Sequence, residues 1–411
     1  MRTKSTSPSC LKQAPPIPQY QHGPCELDKT SPFSKPKRTR SAWILAAWLF
    51  LLIQSFSAVV QAQDYILHRM DLKQSVVMNG VNDLGMVFGY HDSPDGTTAR
   101  PGRGFVYDHV GWIGVPKTVH SVDEWIPTPP GYIGSSCVSI NNNFQVVGYF
   151  SDSTGGRIGF LLNLMTEEWQ LLPRPIWSAF SYGIRINDDG DVVILSQNTS
   201  SAPTRFQVDI VNISLPIPIR SYSDVKSVRD LNNLGQVAVT LTDNSPAIID
   251  YRQPTRTPIP FLVAALNDYG VAAVSYTVPV SNGRTESRVG RFFGGILDPI
   301  GNFNSNARDI NNSGDVLAFV NLTTTSTSSL YTDEFGWKGV NAAVKGAANA
   351  LDWQFWTNLN TKTKHVLKIS NRIDGACWMA GSATLTKTTG LGRKAVTTTE
   401  LRSYLMIPVL P

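Results

Sequence analysis

Apolar and polar positions alternate with a period of two through short runs of Val, Ile, Ala, Phe and Tyr between residues 64 and 411, each run broken by Asn, Asp and Gly. The clearest unit is Val81-Asn82-Asp83-Leu84-Gly85 followed by Met86-Val87-Phe88-Gly89-Tyr90. It returns at Ile140-Asn141-Asn142-Asn143-Phe144, Ile186-Asn187-Asp188-Asp189-Gly190 and Leu231-Asn232-Asn233-Leu234-Gly235. Further copies are Leu266-Asn267-Asp268-Tyr269-Gly270 and Ile310-Asn311-Asn312-Ser313-Gly314, with a degenerate one at Ile373-Asp374-Gly375. Asn and Asp side chains hydrogen-bond the backbone two residues on, and Gly accepts positive φ. Each corner is therefore a tight turn between two antiparallel strands. The apolar residue before it and the Val two places after the Gly (Val87, Val146, Val192, Val237 and Val316, with Ala272 once) should face one core.

The turn positions at 85, 144, 190, 235, 270, 314 and 375 are spaced by 59, 46, 45, 35, 44 and 61 residues. That is the length of one four-stranded propeller blade with variable loops. A second pattern supplies the remaining strands, as in Gly104–Asp108, Gly159–Asn163, Trp169–Pro173, Phe206–Asp209, Ala247–Tyr251 and Leu330–Asp333. No helical stripe competes with it. The expected fold is an all-β propeller of about seven blades. Tyr65–Leu72 reads as a strand without its own blade and Ser403–Val409 as a strand without its outer partner, so pairing of the two ends should close the ring.

Residues 81–90 and 140–149 match an Ile-Asn-Asp-x-Gly-x-Val-Val-Gly-Tyr segment followed by an Ala-Phe-Leu-Tyr-like strand. In this the chain resembles the HAF repeat family of extracellular repeat proteins over roughly residues 64–411. The copies at 186, 231, 266 and 310 keep the turn and lose the Gly-Tyr. The resemblance implies a secreted, propeller-like bacterial protein and brings no established reaction or catalytic residues.

The first 40 residues are rich in Pro, Ser, Lys and Arg and lack the apolar residues of a core, so disorder is expected there. Residues 41–62 then hold an unbroken apolar run, Ala42–Ile53, behind Lys35, Lys37, Arg38 and Arg40 and ahead of Val60-Gln61-Ala62. This is the layout of a signal peptide cut after Ala62. An uncleaved anchor over residues 42–60 is the competing reading, and both place the repeats, residues 63–411, outside the cytoplasm.

The net charge of +5 belongs to the leader. Residues 1–62 hold 8 of the 36 Lys and Arg and 2 of the 31 Asp and Glu, which leaves 28 basic and 29 acidic groups and a formal charge of −1. Such a surface offers no footprint for nucleic acid, and a membrane would be met only through the N-terminal segment. A monomer is expected. Cys137 and Cys377 fall in the second and seventh copies, which a ring separates by one blade, so buried thiols are the plainer expectation and a bridge the alternative.

Candidate chemistry is sparse. Asn187–Asp191 and Asn311–Asp315 could offer oxygens to calcium, but they are half of an EF-hand loop without its distal Glu, and the same turn recurs with Leu84, Tyr269 or Leu234 in the third slot. No cofactor is expected otherwise. His68, His91, His109, His120 and His365 form no zinc spacing. Asp92, Asp95, Asp123, Glu124, Glu167 and Glu168 could hold a carboxylate pair for glycan cleavage, with solvated loop acids as the plainer reading. Trp125, Trp337, Trp353, Phe355 and Trp356 form the one binding signal, since indole faces stack on sugar rings, although alternate aromatics also fill the space between blades. Trp125, Trp353 and Trp356 are the candidate ligand-binding residues, with Trp125 and Trp356 expected to be the exposed ones. The function expected is a non-catalytic module presenting the loops at 91–103, 116–135 and 341–351 to a glycan, peptide or envelope partner. The alternatives are a hydrolase or lyase acting on an extracellular polysaccharide, and calcium-dependent adhesion.

Overall fold

The computed structural model describes residues 65–69, 76–91, 102–198, 203–214, 218–301, 303–321, 325–334, 336–339, 353–354, 356–358, 368–371, 377–389 and 396–408. The leader and apolar segment before residue 65, most of the loop at 91–103, the loop at 341–351 and Ile373-Asp374-Gly375 lie outside them. Among the described residues no helix is long and apolar enough to cross a membrane.

The chain forms a β-propeller of seven blades, each a meander of antiparallel strands. Blade 1 runs through Val76–Val81, Met86–His91, Arg103–Asp108 and Thr118–Ser121, and blade 2 through Tyr132–Ile140, Gln145–Asp152, Arg157–Asn163 and Trp169–Leu171. Blade 3 is Phe180–Ile186, Asp191–Asn198, Arg205–Asn212 and Pro218–Tyr222, and blade 4 is Val225–Leu231, Gln236–Leu241, Pro246–Asp250 and Thr255–Pro258. Blade 5 is Leu262–Leu266, Ala272–Pro279, Thr285–Phe293 and Ile296–Pro299, and blade 6 is Ser305–Ile310, Val316–Asn321, Thr325–Thr332 and Gly336–Gly339. Blade 7 is Lys368–Ile369, Met379–Thr389, Val396–Pro408 and, as its outer strand, Tyr65–Arg69 from the other end of the chain. The expected pairing of the ends is present, in a register from Tyr65↔Pro408 to Arg69↔Tyr404.

The period-two reading is met in register. Val81↔Val87, Ile140↔Val146, Ile186↔Val192, Leu231↔Val237, Leu266↔Ala272 and Ile310↔Val316 are directly opposed pairs. All but the half-buried Val81 are buried. The core lies between blades: one cluster joins Ile184, Val193 and Ile210 of blade 3 to Val225, Val237 and Tyr251 of blade 4. Removing such faces from water supplies about 25 cal/mol per Å² of apolar surface. Every inner strand of blades 1–6 slips register near its end, as between Cys137 and Ser139. This bulge brings the inner backbone so close to the second strand that a Cβ on Gly148 would lie 2.1 Å from the Ser136 carbonyl oxygen.

The repeated corner does more than turn the chain. In blade 1, Asn82 Oδ1 accepts the Leu84 and Met86 amides at 3.1 and 2.9 Å, and Gly85 takes φ +77°. Asn82 Nδ2 then donates to the Asn141 carbonyl of blade 2 at 3.1 Å. Asn141, Asn187, Asn232 and Asn267 each reach the following blade in the same way. The next residue builds a second tier. The amides of Asp83, Asn142, Asp188, Asn233, Asp268, Asn312 and Asn371 each donate to Oδ1 of the one after, and Asn371 returns to Asp83 at 2.6 Å. Seven corners thus form one hydrogen-bonded circuit around the mouth of the central channel.

That circuit corrects the position of the seventh copy. Its corner is Ile369-Ser370-Asn371, with the Ser370 amide bonded to the Trp378 carbonyl across an insertion, and not Ile373-Asp374-Gly375. Phe144 holds the Gly position at φ +61°, outside the usual range of an L-residue. Its ring packs on the core shared by blades 1 and 2 and lies 6.4 Å from Trp112.

Candidate functional site: a cleft between blades 1 and 2

Inner strands end, and second strands begin, at the circuit of corners. The starts of the inner strands and the hairpins between second and third strands therefore lie at the opposite face. There, Tyr90 and Gly102 of blade 1 and Ile133, Ser135, Ser136, Tyr149, Ser151, Asp152 and Arg157 of blade 2 line a cleft of about 380 Å³. Tyr90 and Tyr149 are the tyrosines of the two surviving Gly-Tyr dipeptides.

The blade seam fixes the floor. Ser135 Oγ accepts the Gly104 amide at 2.8 Å and the Ser135 amide donates to the Gly102 carbonyl at 2.9 Å. Asp152 shapes the wall by closing its hairpin: Oδ1 accepts the Thr154 amide and hydroxyl, both at 2.8 Å, and the Gly156 amide at 2.7 Å. The Thr154 hydroxyl, with these amides, holds the Asp152 carboxyl below the usual carboxylate range. A carboxylate so engaged remains ionised and is unsuited to donate a proton near neutrality.

Arg157 is the distinctive group. Its guanidinium lies 4.4 Å from the Tyr149 ring centroid and 5.2 Å from that of Tyr182, on the inner strand of blade 3, and the two rings meet edge to face at 5.3 Å. Two parallel pairs, Phe180↔Arg157 and Ser181↔Ile158, tie blades 2 and 3 together at this point. Burial raises the Tyr182 hydroxyl above its ordinary pKa against the opposing charge of Arg157, so the phenol stays protonated. None of the ion pairs among the described residues involves Arg157.

The residues singled out in the sequence are scattered by comparison. Trp125, expected to be exposed, is half-buried against the core of blades 1 and 2 with its ring 5.4 Å from His120. Trp337 packs on blade 6 and donates to the Ile300 carbonyl. Trp353 pairs with Leu385 of blade 7 and Trp356 with Thr327 of blade 6, so these two stand on strands added to different blades. Among the loop acids, Asp123 pairs with Arg103, while Glu124 meets His120 at 3.1 Å and accepts the Ser121 amide at 2.8 Å. Asp92 and Asp95 lie outside the described residues.

Of the calcium candidates, Asp191 is occupied by Asn212 at 2.7 Å, Arg252 at 3.0 Å and the Tyr251 hydroxyl, and Asp315 accepts from Asn311 at 2.8 Å. No group of three His, Cys, Asp or Glu placed to hold a metal occurs among the described residues. Cys137 and Cys377 are both buried and not bridged to one another, and burial pushes the Cys137 thiol up. The sequence reading missed Arg157 and Tyr182. The available signal was the Gly-Tyr kept only in the first two copies, which looked like erosion elsewhere and marks the cleft here.

No protein-family model and no curated protein matches the sequence. Among solved structures, the chain is similar to the β-propeller domain of the trilobed protease from Pyrococcus furiosus, at 6% identity over 83% of this chain and 94% of that one, TM-score 0.48. It is also similar to a prolyl endopeptidase, at 10% identity over 88% and 56% with TM-score 0.47, and to TolB from Acinetobacter baumannii, at 11% over 62% and 63% with TM-score 0.39. The match therefore spans less than two thirds of the TolB and endopeptidase chains. These are likenesses of fold alone; the chain's own ring of four-stranded blades places it in the class of β-propellers. The expectation of a non-catalytic scaffold is corrected: the tryptophans proposed as its binding surface stand on different blades and form no common face.

Proposed function

We propose that the chain is an exported enzyme that cleaves an acidic polysaccharide by β-elimination in the cleft between blades 1 and 2. The observation that carries this is Arg157, a guanidinium held against two phenols and outside every ion pair among the described residues. A uronate carboxylate paired with Arg157 would have its charge neutralised, which acidifies the adjacent C5–H. Tyr149 would act as the phenolate, having first given its own proton to solvent: its oxygen takes the C5 proton, the C5–H electrons form the C4=C5 double bond, and the C4–O bond breaks. The proton then passes to the departing glycosidic oxygen. Ser136 and Ser151 would accept hydrogen bonds from sugar hydroxyls.

Hydrolysis fits less well, because it asks for two carboxyl groups about 5–9.5 Å apart. Among the cleft residues only Asp152 carries one, and it is consumed by its own hairpin. The test is a panel of polyuronates followed by the ultraviolet absorbance of the unsaturated product. Arg157→Ala and Tyr149→Phe should each lose at least 100-fold in rate, the scale of proton-transfer catalysis, while unfolding at the wild-type denaturant midpoint. New reducing ends without unsaturation, or no cleavage of any polyuronate, would reject elimination. Export is tested by mass spectrometry of the cell-free protein, whose first residue should be Gln63 if the segment at 41–62 is a cleaved signal.

A further inference from the structure

The central channel carries charge that nothing described balances. Three places before the corner Asn, the inner strands present Asn79, Val138, Arg229, Ala264 and Arg308 in blades 1, 2, 4, 5 and 6. Asn79, Val138 and Ala264 are half-buried, whereas Arg229 and Arg308 are solvent-exposed although they sit on the innermost strands. Solvent reaches an innermost strand through the channel. Arg229 and Arg308 belong to blades 4 and 6, and the blade between them contributes only the methyl of Ala264, which leaves room for both guanidiniums.

The neighbouring acids are engaged elsewhere. Asp230 is bound by Arg185 at 3.1 Å and accepts the Leu266 amide at 2.9 Å, and Asp309 accepts the Ile369 amide at 3.0 Å. Arg185, the third guanidinium on an inner strand, is spent on Asp230 and on the Ile184 and Arg229 carbonyls. No ion pair among the described residues includes Arg229 or Arg308. Arg308 lies over the Phe319 ring, its guanidinium carbon 4.2 Å from the centroid, a contact that restrains where the guanidinium can go. Although Arg308 meets solvent along part of its length, packing around its guanidinium desolvates it, and this with the charge of Arg229 pulls it down from its ordinary value.

We propose that Arg229 and Arg308 form a clamp in the central channel for a sulfate- or phosphate-class oxyanion. Such a ligand offers enough oxygens for two planar forks and enough charge to offset both cations. The site is separate from the cleft, which involves neither arginine. Thermal unfolding of the purified protein, titrated with sodium sulfate against sodium chloride of equal ionic strength, tests it directly. The expected result is a saturable rise in Tm of several degrees with sulfate only, lost in Arg229→Ala and in Arg308→Ala and kept in Arg157→Ala. Glucose 6-sulfate as a second probe separates a free ion from an ester, since a clamp open to a sugar substituent will respond to both. A rise that does not saturate, that chloride reproduces, or that survives both alanine variants overturns the proposal. Arg229→Lys gives a further check, because charge without the fork should weaken the sulfate response at least tenfold.

Discussion

At the residue scale, the corner motif is legible in the sequence only as far as its own turn. That Asn82 and its counterparts accept the amides two and four residues on follows from their position, but the donor they extend to the next blade depends on a neighbour 35 to 59 residues away. The second tier also obeys a rule. Asp83, Asp188 and Asp268 alternate with Asn142, Asn233 and Asn312. An Asp carboxylate has two accepting oxygens: Asp188 Oδ1 takes the Asn142 amide at 2.8 Å and Oδ2 takes the side-chain Nδ2 of Asn142 and of Asn233, each at 3.1 Å. A carboxamide has only one such oxygen. Asp188→Asn should therefore set its own NH₂ against two others and cost about 1–3 kcal/mol, the penalty for unmatched polar groups in a half-buried site. Urea unfolding measures it. An unchanged midpoint would mean that the alternation carries no stability.

At the element scale, period two, the Asn-Gly corners and the orphan terminal strands identify the sheets, and the paired Val and Ile positions fall opposite one another as expected. The cleft is harder to read because Tyr90, Tyr149, Arg157 and Tyr182 come from three blades, and no local spacing links them. The contact between blades 3 and 4 is similar in kind, and it has a pH signature. Burial works to raise the Asp191 carboxyl, and the hydrogen bonds from Asn212, Tyr251 and Arg252 outweigh it, leaving the group below the usual carboxylate range. Burial, together with the bond to Asp191, raises the Tyr251 phenol above its ordinary value. A depressed acid contributes stability above its unfolded pKa of about 3.9 that is lost as pH falls through the folded value. A raised phenol contributes stability below its unfolded pKa of about 10 that is lost as pH rises through the folded value. Tyr251→Phe should accordingly flatten the alkaline decline above about pH 10 and make the acid decline below about pH 4 shallower, relative to wild type. Chemical unfolding across pH reads both limbs, and parallel profiles for the two proteins would show that the contact does not couple to protonation.

At the scale of the molecule, two devices join blade 7 to blade 1. The outer strand of blade 7 is Tyr65–Arg69, so the chain passes covalently from one blade into the other, and the circuit of corners crosses the same seam through Asn371 and Asp83. A cluster of Met78, Val87, Phe105 and Tyr107 with Ala380 and Leu405 fills the space behind them. The strand clasp was readable because both ends of the chain carry unmatched strand patterns. The Asn371 clasp was hidden because the chain between Asn371 and Trp378 is longer than in the other copies, which breaks the motif in the sequence. The tether holds Asn371 near Asp83 at a high effective concentration, so the two devices should not act independently. Asn371→Ala in the full chain should cost about 1–3 kcal/mol. In a chain that begins after Leu72 the seam keeps its packing and the Asn371 clasp but loses the tether, and the same substitution should cost less, with a coupling of at least about 0.5 kcal/mol in a double-mutant cycle. Equal costs in the two backgrounds would mean that the seam opens and closes without reference to the strand, and that the seven blades are stabilised pair by pair.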